Sequence, residues 1–276
     1  MNEIARGLLR KPEAVKKQIQ RGKQKLAALN LPLELPPHEE LQQRLTVVHR
    51  VLYLMFNEGY STSHGHDPIR DDLCEEAARL CHMLCEHDLG TETTYALLAL
   101  MLFHSSRLES RVDAVGRVVL LEDQDRSTWD HSLIKVAKYW LHKSGKRPTS
   151  RFHLEAAIAM LHCLAESVAK TDWQSIVHLY DRLMLLTPSP IYTLNRAVAI
   201  AQTGDTELAF AELEKIREHQ DLSNYFLLDC ARARVFELSG NNTSAIDCYL
   251  EAISRGVAEH ERVLLEKKIV ELSADS

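Results

Sequence analysis

Gly204 and Gly240 stand 36 residues apart, and their surroundings recur at the same distance. Ala197 corresponds to Ala233, Ala209 to Ala245, Leu213 to Tyr249 and Ile216 to Ala252. A shift of 33 towards the N-terminus places Ile176, Tyr180 and Leu183 in the same register, with Pro188 near the end of that unit. A period of about 34 residues is the length of two antiparallel helices and a turn. Small residues fall where the helices must approach closely, and larger apolar ones follow a turn later. No such unit buries its own apolar face, so the copies must stack on one another.

Composition agrees with helix throughout. Gly and Pro together number 18 of 276 residues, about half the roughly 12% of an average chain. Clusters of β-branched and aromatic residues at strand period are nearly absent. Apolar residues make up 45% and charged residues 26%, which excludes intrinsic disorder, collagen and a coiled-coil rod. The length allows one or two domains with a sizeable core.

Periodicity places the helices. Leu41, Leu45, Val48, Leu52 and Met55 step as one amphipathic helix, with Gly59 as its left-handed stop. Asp67-Pro68 should open the next helix as cap and first position, running to about His87. Further helices are expected over Thr91–Arg107, with Ala96, Leu97, Leu100 and Leu102 buried, over Trp129–His142 and over Arg151–Ala169. Glu259–Leu272 is charge-rich and reads as a polar capping helix. The expected fold is all-α, an array of antiparallel helix pairs similar to the tetratricopeptide-repeat superhelix.

Charge is unevenly spread. Over the whole chain 33 basic and 39 acidic residues give −6, but residues 1–28 carry 8 − 2 = +6 and the remainder 25 − 37 = −12. A basic tip on an acidic body suits an anionic partner met by the tip alone, nucleic acid first. Glu3 to Leu9 reads as a short helix, Arg10–Lys11 as a tight turn, and Pro12 as the first turn of a longer helix with Val15, Ile19 and Leu26 on its apolar stripe. Short helix, turn and longer basic helix is the layout of a helix-turn-helix. Gln20 is then placed to read a base edge, and Lys16, Lys17, Arg21 and Lys25 to hold phosphates. The alternative is a solvated basic helix packed on the body. Leu29–Pro37 holds three prolines in nine residues and reads as an extended linker. The organisation is therefore a tip over 1–28, a linker over 29–37, a helical domain over 38–150 and repeats over 151–276.

Chemistry is sparse. The stretch Glu122-Asp123-Gln124-Asp125-Arg126 is the most charge-dense in the body. As an active site it would supply Glu122, Asp123 and Asp125 as acids or metal ligands. As a loop it would use Asp125 or Ser127 to cap the helix carrying Trp129, and Arg126 would pair with a carboxylate. Asn57, Glu58 and Tyr60 form a second polar group. If the two meet, they make a polar pocket of Asn57, Glu58, Tyr60, Asp123, Gln124 and Arg126. Cys74, Cys81 and Cys85 share one helix face and read as small buried side chains, a zinc site with His82 or His87 being the alternative. His64-Gly65-His66-Asp67 resembles a metal loop but has no partner motif. Six cysteines in a chain without a signal-peptide stretch are expected to be unpaired and cytoplasmic. No run approaches the ~18 apolar residues of a membrane span. With no phosphate-binding glycine loop, nucleophile elbow or paired Cys-x-x-Cys, we assign no catalytic residue, cofactor or metal and expect a non-enzyme.

These residues carry a resemblance. The segment Glu3-Ile4-Ala5…Leu8…Ala14-Val15-Lys16…Ile19…Arg21-Gly22-Lys23…Leu26 resembles the end of region 4 of bacterial RNA polymerase sigma factors. The body resembles the C-terminal extension of one group of extracytoplasmic-function (ECF) sigma factors. The matching pieces include Tyr53–Tyr60 (YLMFNEGY), Ala96–Leu102 (ALLALML), Leu120–Asp130 (LLEDQDRSTWD), Thr171–Trp173, Leu179–Asp181 and Pro188–Ala199. The resemblance implies a −35-type DNA-binding element joined to a tetratricopeptide-like regulatory extension. Its implied partners are RNA polymerase or sigma-factor domains and promoter DNA. The chain shows no counterpart of region 2, so initiation by this segment alone is not expected. Two other readings stay open: a stand-alone scaffold with a protein or peptide in its groove, and an enzyme or small-ligand sensor built on the Glu58 and Asp123 clusters.

Overall fold

The computed structural model describes residues 2–8, 10–29, 36–62, 67–145 and 150–274. Among them are thirteen α-helices and no β-strand, with one isolated bridge between Val112 and Val118. The basic tip forms α1 (Asn2–Gly7) and α2 (Pro12–Leu29). The body continues with α3 (His38–Tyr60), α4 (Asp71–Glu86), α5 (Glu92–Ser105), α6 (His131–Lys143), α7 (Arg151–Leu164) and α8 (Trp173–Leu186). It closes with α9 (Pro190–Gln202), α10 (Thr206–Ile216), α11 (Phe226–Leu238), α12 (Asn242–Ser254) and α13 (Glu259–Ala274). No helix among the described residues is long and apolar enough to cross a membrane.

The helices pack in successive pairs, α3 with α4, α5 with α6, α7 with α8, α9 with α10 and α11 with α12, and α13 covers the last pair. First helices stack on one another, α5 on α7 and α9 on α11. The apolar interior is consequently a chain of local cores. One lies around Phe56, Leu97 and Phe103, the next around Ile176 and Leu183, then Ile200, Leu213 and Val235, then Tyr249 and Leu265. Each core shares a helix with the next, the arrangement expected of stacked repeats.

The 36-residue period has a structural cause. Ala197, Ala233, Ala209 and Ala245 are all fully buried where the helices cross. Gly204 and Gly240 both adopt positive φ, 97° and 78°, a conformation that glycine reaches without a Cβ penalty. The next residue caps the second helix: Asp205 accepts from the Leu208 N–H and Asn241 from the Ser244 N–H. Asp172 does the same with Ser175, so three units begin their second helix alike.

Several boundaries differ from the sequence reading. Gly59 is not a helix stop, because α3 runs on to Tyr60. A Cβ there would meet the Arg70 carbonyl and the Cys74 amide at 2.8 Å, so glycine is needed for the close passage of α4. Asp67-Pro68 does not open α4, which begins at Asp71. Instead Thr62 donates its hydroxyl to the Asp67 carbonyl and its N–H to the Pro68 carbonyl, tying that loop to the end of α3. Trp129 precedes α6, whose cap is Asp130. The helix expected to reach Ala169 ends at Leu164 and is followed by a 3-10 turn at Val168–Lys170. Leu102 is only half-buried. Residues 30–35 of the expected linker, and His64, Gly65 and His66, lie outside the described residues; Pro36 and Pro37 directly precede α3 and are not helical.

Two features had no sequence signal. Residues 106–130, between α5 and α6, contain only two 3-10 turns, at Glu109–Arg111 and Arg126–Thr128. And α1 joins both ends of the array: it packs on α3, and Arg6 donates to the Thr62 carbonyl and to Glu261 of α13 at 2.9 Å.

Replacing Ala233 by Leu should part the stacked helices and cost about 1–3 kcal/mol. Asp205→Ala should cost about 1 kcal/mol by removing a cap. Both would be read as lower urea midpoints with an unchanged slope.

Candidate functional site: an arginine-flanked cavity and an exposed basic helix

One inner side of the array is faced by α7, α9, α11 and α13. The segment after α5 folds back over it, and a half-open cavity of about 410 Å³ lies between them. Its array side is lined by His162, Trp173, Val198, Phe226, Leu227 and Leu264, and its other side by Arg111, Val118, Leu120, Leu121, Glu122 and Arg126.

The returning segment is pinned at Glu122. That carboxylate pairs with Arg234 of α11 and lies 3.2 Å from the Lys268 ammonium of α13. Arg234 is also held by Glu237 at 2.5 Å, and the Tyr249 hydroxyl donates to Glu237 at 2.6 Å. Lys268 additionally lies 4.0 Å from Asp123. The acids of Glu122-Asp123 thus meet cations more than a hundred residues later in the chain.

At the other end the charges are unbalanced. Arg126 donates through Nη1 to the carbonyls of His162 and Ala165 at 2.5 and 2.9 Å, capping the C-terminus of α7. Its guanidinium stacks over Trp129, 4.8 Å from the ring centre. The Arg111 guanidinium lies 3.7 Å from the centre of the Tyr60 ring, with that of Arg107 at 5.7 Å. Arg107 donates to Nδ1 of His104 at 3.2 Å. No ion pair links Arg107, Arg111 or Arg126 to a carboxylate among the described residues. Two histidines register this field. Burial, reinforced by Arg107 and Arg126, pushes His162 down to about 3. Burial, with Arg107, Arg111 and His162, holds His104 well below its ordinary value.

The six residues expected to form one polar pocket are distributed around this interior. Arg126 lines the cavity and Tyr60 stacks in the arginine cluster, with its hydroxyl buried and without a hydrogen-bond partner. Asn57 lines a neighbouring cavity of about 450 Å³, which shares Leu121, His162, Trp173 and Val198 with the first. Glu58 is half-buried on α3. Asp123 is exposed beside Lys268, and Gln124 is buried, donating to the Val119 carbonyl within its own loop. The expected pairing of Arg126 with a carboxylate does not occur; its Nη1 instead turns to the helix-terminal carbonyls of His162 and Ala165. Asp125 caps the 3-10 turn at Ser127, not α6.

The second cavity holds a residue that sequence reasoning missed. Glu155 of α7 accepts from the Tyr192 hydroxyl beside Tyr53 and Arg151, and burial raises its carboxyl above the usual range. Its signal was an acid on an apolar helix face, between Phe152 and Ile158. Cys74, Cys81 and Cys85 are buried on one face of α4 as free thiols. No group of three or more His, Cys, Asp or Glu residues is placed to hold a metal ion among the described residues.

The five residues proposed for DNA contact form a separate surface. Lys16, Lys17, Gln20, Arg21 and Lys25 are all exposed on α2. Only Val15 of that helix is fully buried, and Leu26, at 63% exposure, is uncovered. The motif is attached to the body through α1, whose Gly7 passes so close to α3 that a Cβ would meet Leu54 at 2.8 Å.

Residues 44–145 match a family of unknown function, DUF6596. That stretch includes Tyr60, Arg107, Arg111 and Arg126. A protein of Rhizobium meliloti (strain 1021), called uncharacterized protein R00370, is 36% identical over 276 residues, covering 100% of this chain. The chain spans 65% of that relative's length. No solved structure matches it.

His162 gives a pH test. It titrates near 6.5 when unfolded and near 3 in the fold, so the unfolded chain binds the extra proton between those values. This contribution is full above about pH 6.5 and is lost as pH falls towards 3. Between pH 7 and 5 the wild type should lose about 2 kcal/mol more stability than His162→Gln, measured by urea unfolding at each pH.

Proposed function

We propose that the chain acts in transcription regulation, as the C-terminal portion of an ECF-type sigma factor. In this reading α1 and α2 are a DNA-binding helix-turn-helix and the stacked body is its regulatory, tetratricopeptide-like extension. The observation that carries the reading is the placement of α2. It displays Lys16, Lys17, Gln20, Arg21 and Lys25 to solvent, while α1 secures the motif to α3 and α13. A helix packed on an acidic body would hide part of that arc; this one leaves it open to an anionic duplex. On the helical wheel the five residues fall within one half-turn, opposite Val15, Ile19 and Leu26.

The body supports the regulatory half of the proposal. Regulation would proceed through contacts of the helical array with RNA polymerase or with other sigma-factor domains. A scaffold that grips a peptide in its groove is the second reading. It is the weaker one, because the chain's own segment around Leu121 and Glu122 lies against the inner side of the array.

The test is fluorescence anisotropy of the full chain with labelled duplex DNA between 50 and 200 mM salt. Four phosphate-holding side chains predict a slope of log K against log salt of about −3 to −4. Lys17→Glu with Arg21→Glu should weaken binding about tenfold or more and leave Tm unchanged, since both residues are exposed. Gln20→Ala should relax sequence preference without changing the slope. Salt-insensitive binding, or a double variant that binds as tightly as the wild type, would refute the DNA-binding role.

A further inference from the structure

The cavity beneath the returning segment carries more positive charge than its own carboxylates balance. Its lining includes Arg111, Arg126, Arg234 and Lys268 against Glu122 and Glu261, so the count is 4 − 2 = +2. Arg234 and Lys268 are balanced by Glu122 together with Glu237 and Asp123 from outside the lining, and Glu261 is taken by Arg6. The surplus therefore belongs to Arg111 and Arg126. Each has a buried N–H group with no acceptor, Nε of Arg111 and Nη2 of Arg126. A buried guanidinium N–H left without a partner costs its full desolvation. Stacking of the array does not require that cost, since the helix pairs bury their apolar faces against one another without either arginine.

The rest of the wall is different in kind. Trp173, Val198, Phe226 and Leu264 give the cavity an apolar floor. Its volume of about 410 Å³ lies in the range of small-molecule sites, and is too small for a folded segment of another protein. An apolar floor with two lining arginines that no carboxylate among the described residues pairs selects a ligand with the matching asymmetry. Guanidinium forks match carboxylate and phosphate oxygens bidentately.

We propose that this cavity binds an amphipathic small-molecule anion, its apolar body against Trp173, Val198, Phe226 and Leu264 and its single carboxylate or phosphate head held by Arg111 and Arg126. Its lining shares no residue with the five proposed for DNA contact on α2. The head group supplies Arg111 and Arg126 with the counter-charge that no carboxylate among the described residues provides, at the end of the cavity that His162 also lines. The body displaces water from the apolar floor.

Isothermal titration calorimetry on the full chain tests this with four probes: octanoate, octyl phosphate, 1-octanol and inorganic phosphate. Octanoate or octyl phosphate should bind at least about tenfold more tightly than octanol, the ratio supplied by a charge-assisted hydrogen bond. Which of the two binds better identifies the head. Inorganic phosphate alone should bind at least about tenfold more weakly than octyl phosphate, because it leaves the apolar floor uncovered. Arg111→Gln should lower the affinity for the preferred anion about tenfold and leave that for octanol unchanged. Val198→Asp should abolish binding of the octyl anions, with circular dichroism confirming that each variant is folded. Equal affinity for octanoate, octyl phosphate and octanol, no binding of either octyl anion at millimolar concentration, or a folded Arg111→Gln protein that binds like the wild type would overturn the proposal.

Discussion

A pair of short antiparallel helices cannot cover both of its faces, and this constraint organises the molecule. Where α9 and α10 or α11 and α12 cross, the contact residues are alanines with no accessible surface. Small side chains at the crossing let the next pair settle close, and the larger Leu213 and Tyr249 then fill the space between. Each local core depends on its neighbours, so the array is held by a succession of interfaces, none of which is central. Its ends need separate treatment. At one end α13 covers α12 and turns Glu266, Lys267 and Val270 outward. The short α1 then ties that end back to α3 through Arg6.

The inner side of the array poses a second problem, solved by the segment after α5. Its position is fixed by the Glu122, Arg234 and Lys268 charges, which come from three distant parts of the chain. All three are less than a quarter exposed. A partly buried network of this kind adds little net stability, because desolvation offsets the attraction, but misplacing any member leaves a charge unpaired. It acts mainly as a geometric lock. The exposed pairs along the helices, such as Arg262 with Glu259, have no such consequence, since solvent screens them.

The repeats were legible in the sequence because their causes are local. Ala233 is small wherever a helix pair of this kind must cross, and Gly240 followed by Asn241 records a left-handed turn and a cap within two residues. Gly59 misled for an instructive reason. A glycine near a helix end suggests a stop, yet here it serves the approach of α4, which only the tertiary structure reveals. The same holds for Arg126. Its neighbours Asp123 and Asp125 suggested a carboxylate partner, but the guanidinium meets the end of α7, a contact spanning 36 residues. Glu122, Arg234 and Lys268 are unremarkable charges in the sequence, and their meeting depends on how the array curves. The cavity between them was therefore visible only as two polar clusters, one of which, around Tyr60, enters through arginines that had not been singled out.

Helix α13 touches both the cavity and the attachment of the basic tip. Its Leu264 and Lys268 line the cavity, while Glu261, one turn earlier, holds Arg6 of α1. The Ala258 N–H donates to the same Glu261 carboxylate, fixing it at the start of the helix. A ligand that bound equally to every position of α13 would change nothing at α1, however tightly it bound. A ligand that fills the space against Leu264 would favour positions of α13 that keep that space open, because packed interfaces shift between discrete arrangements and do not deform smoothly. A displacement of α13 would also act on the Glu261–Arg6 pair, and through it on the attachment of α1 and α2. Coupling of that form is reciprocal: whatever holds α2 in place would alter the affinity of the cavity by the same factor.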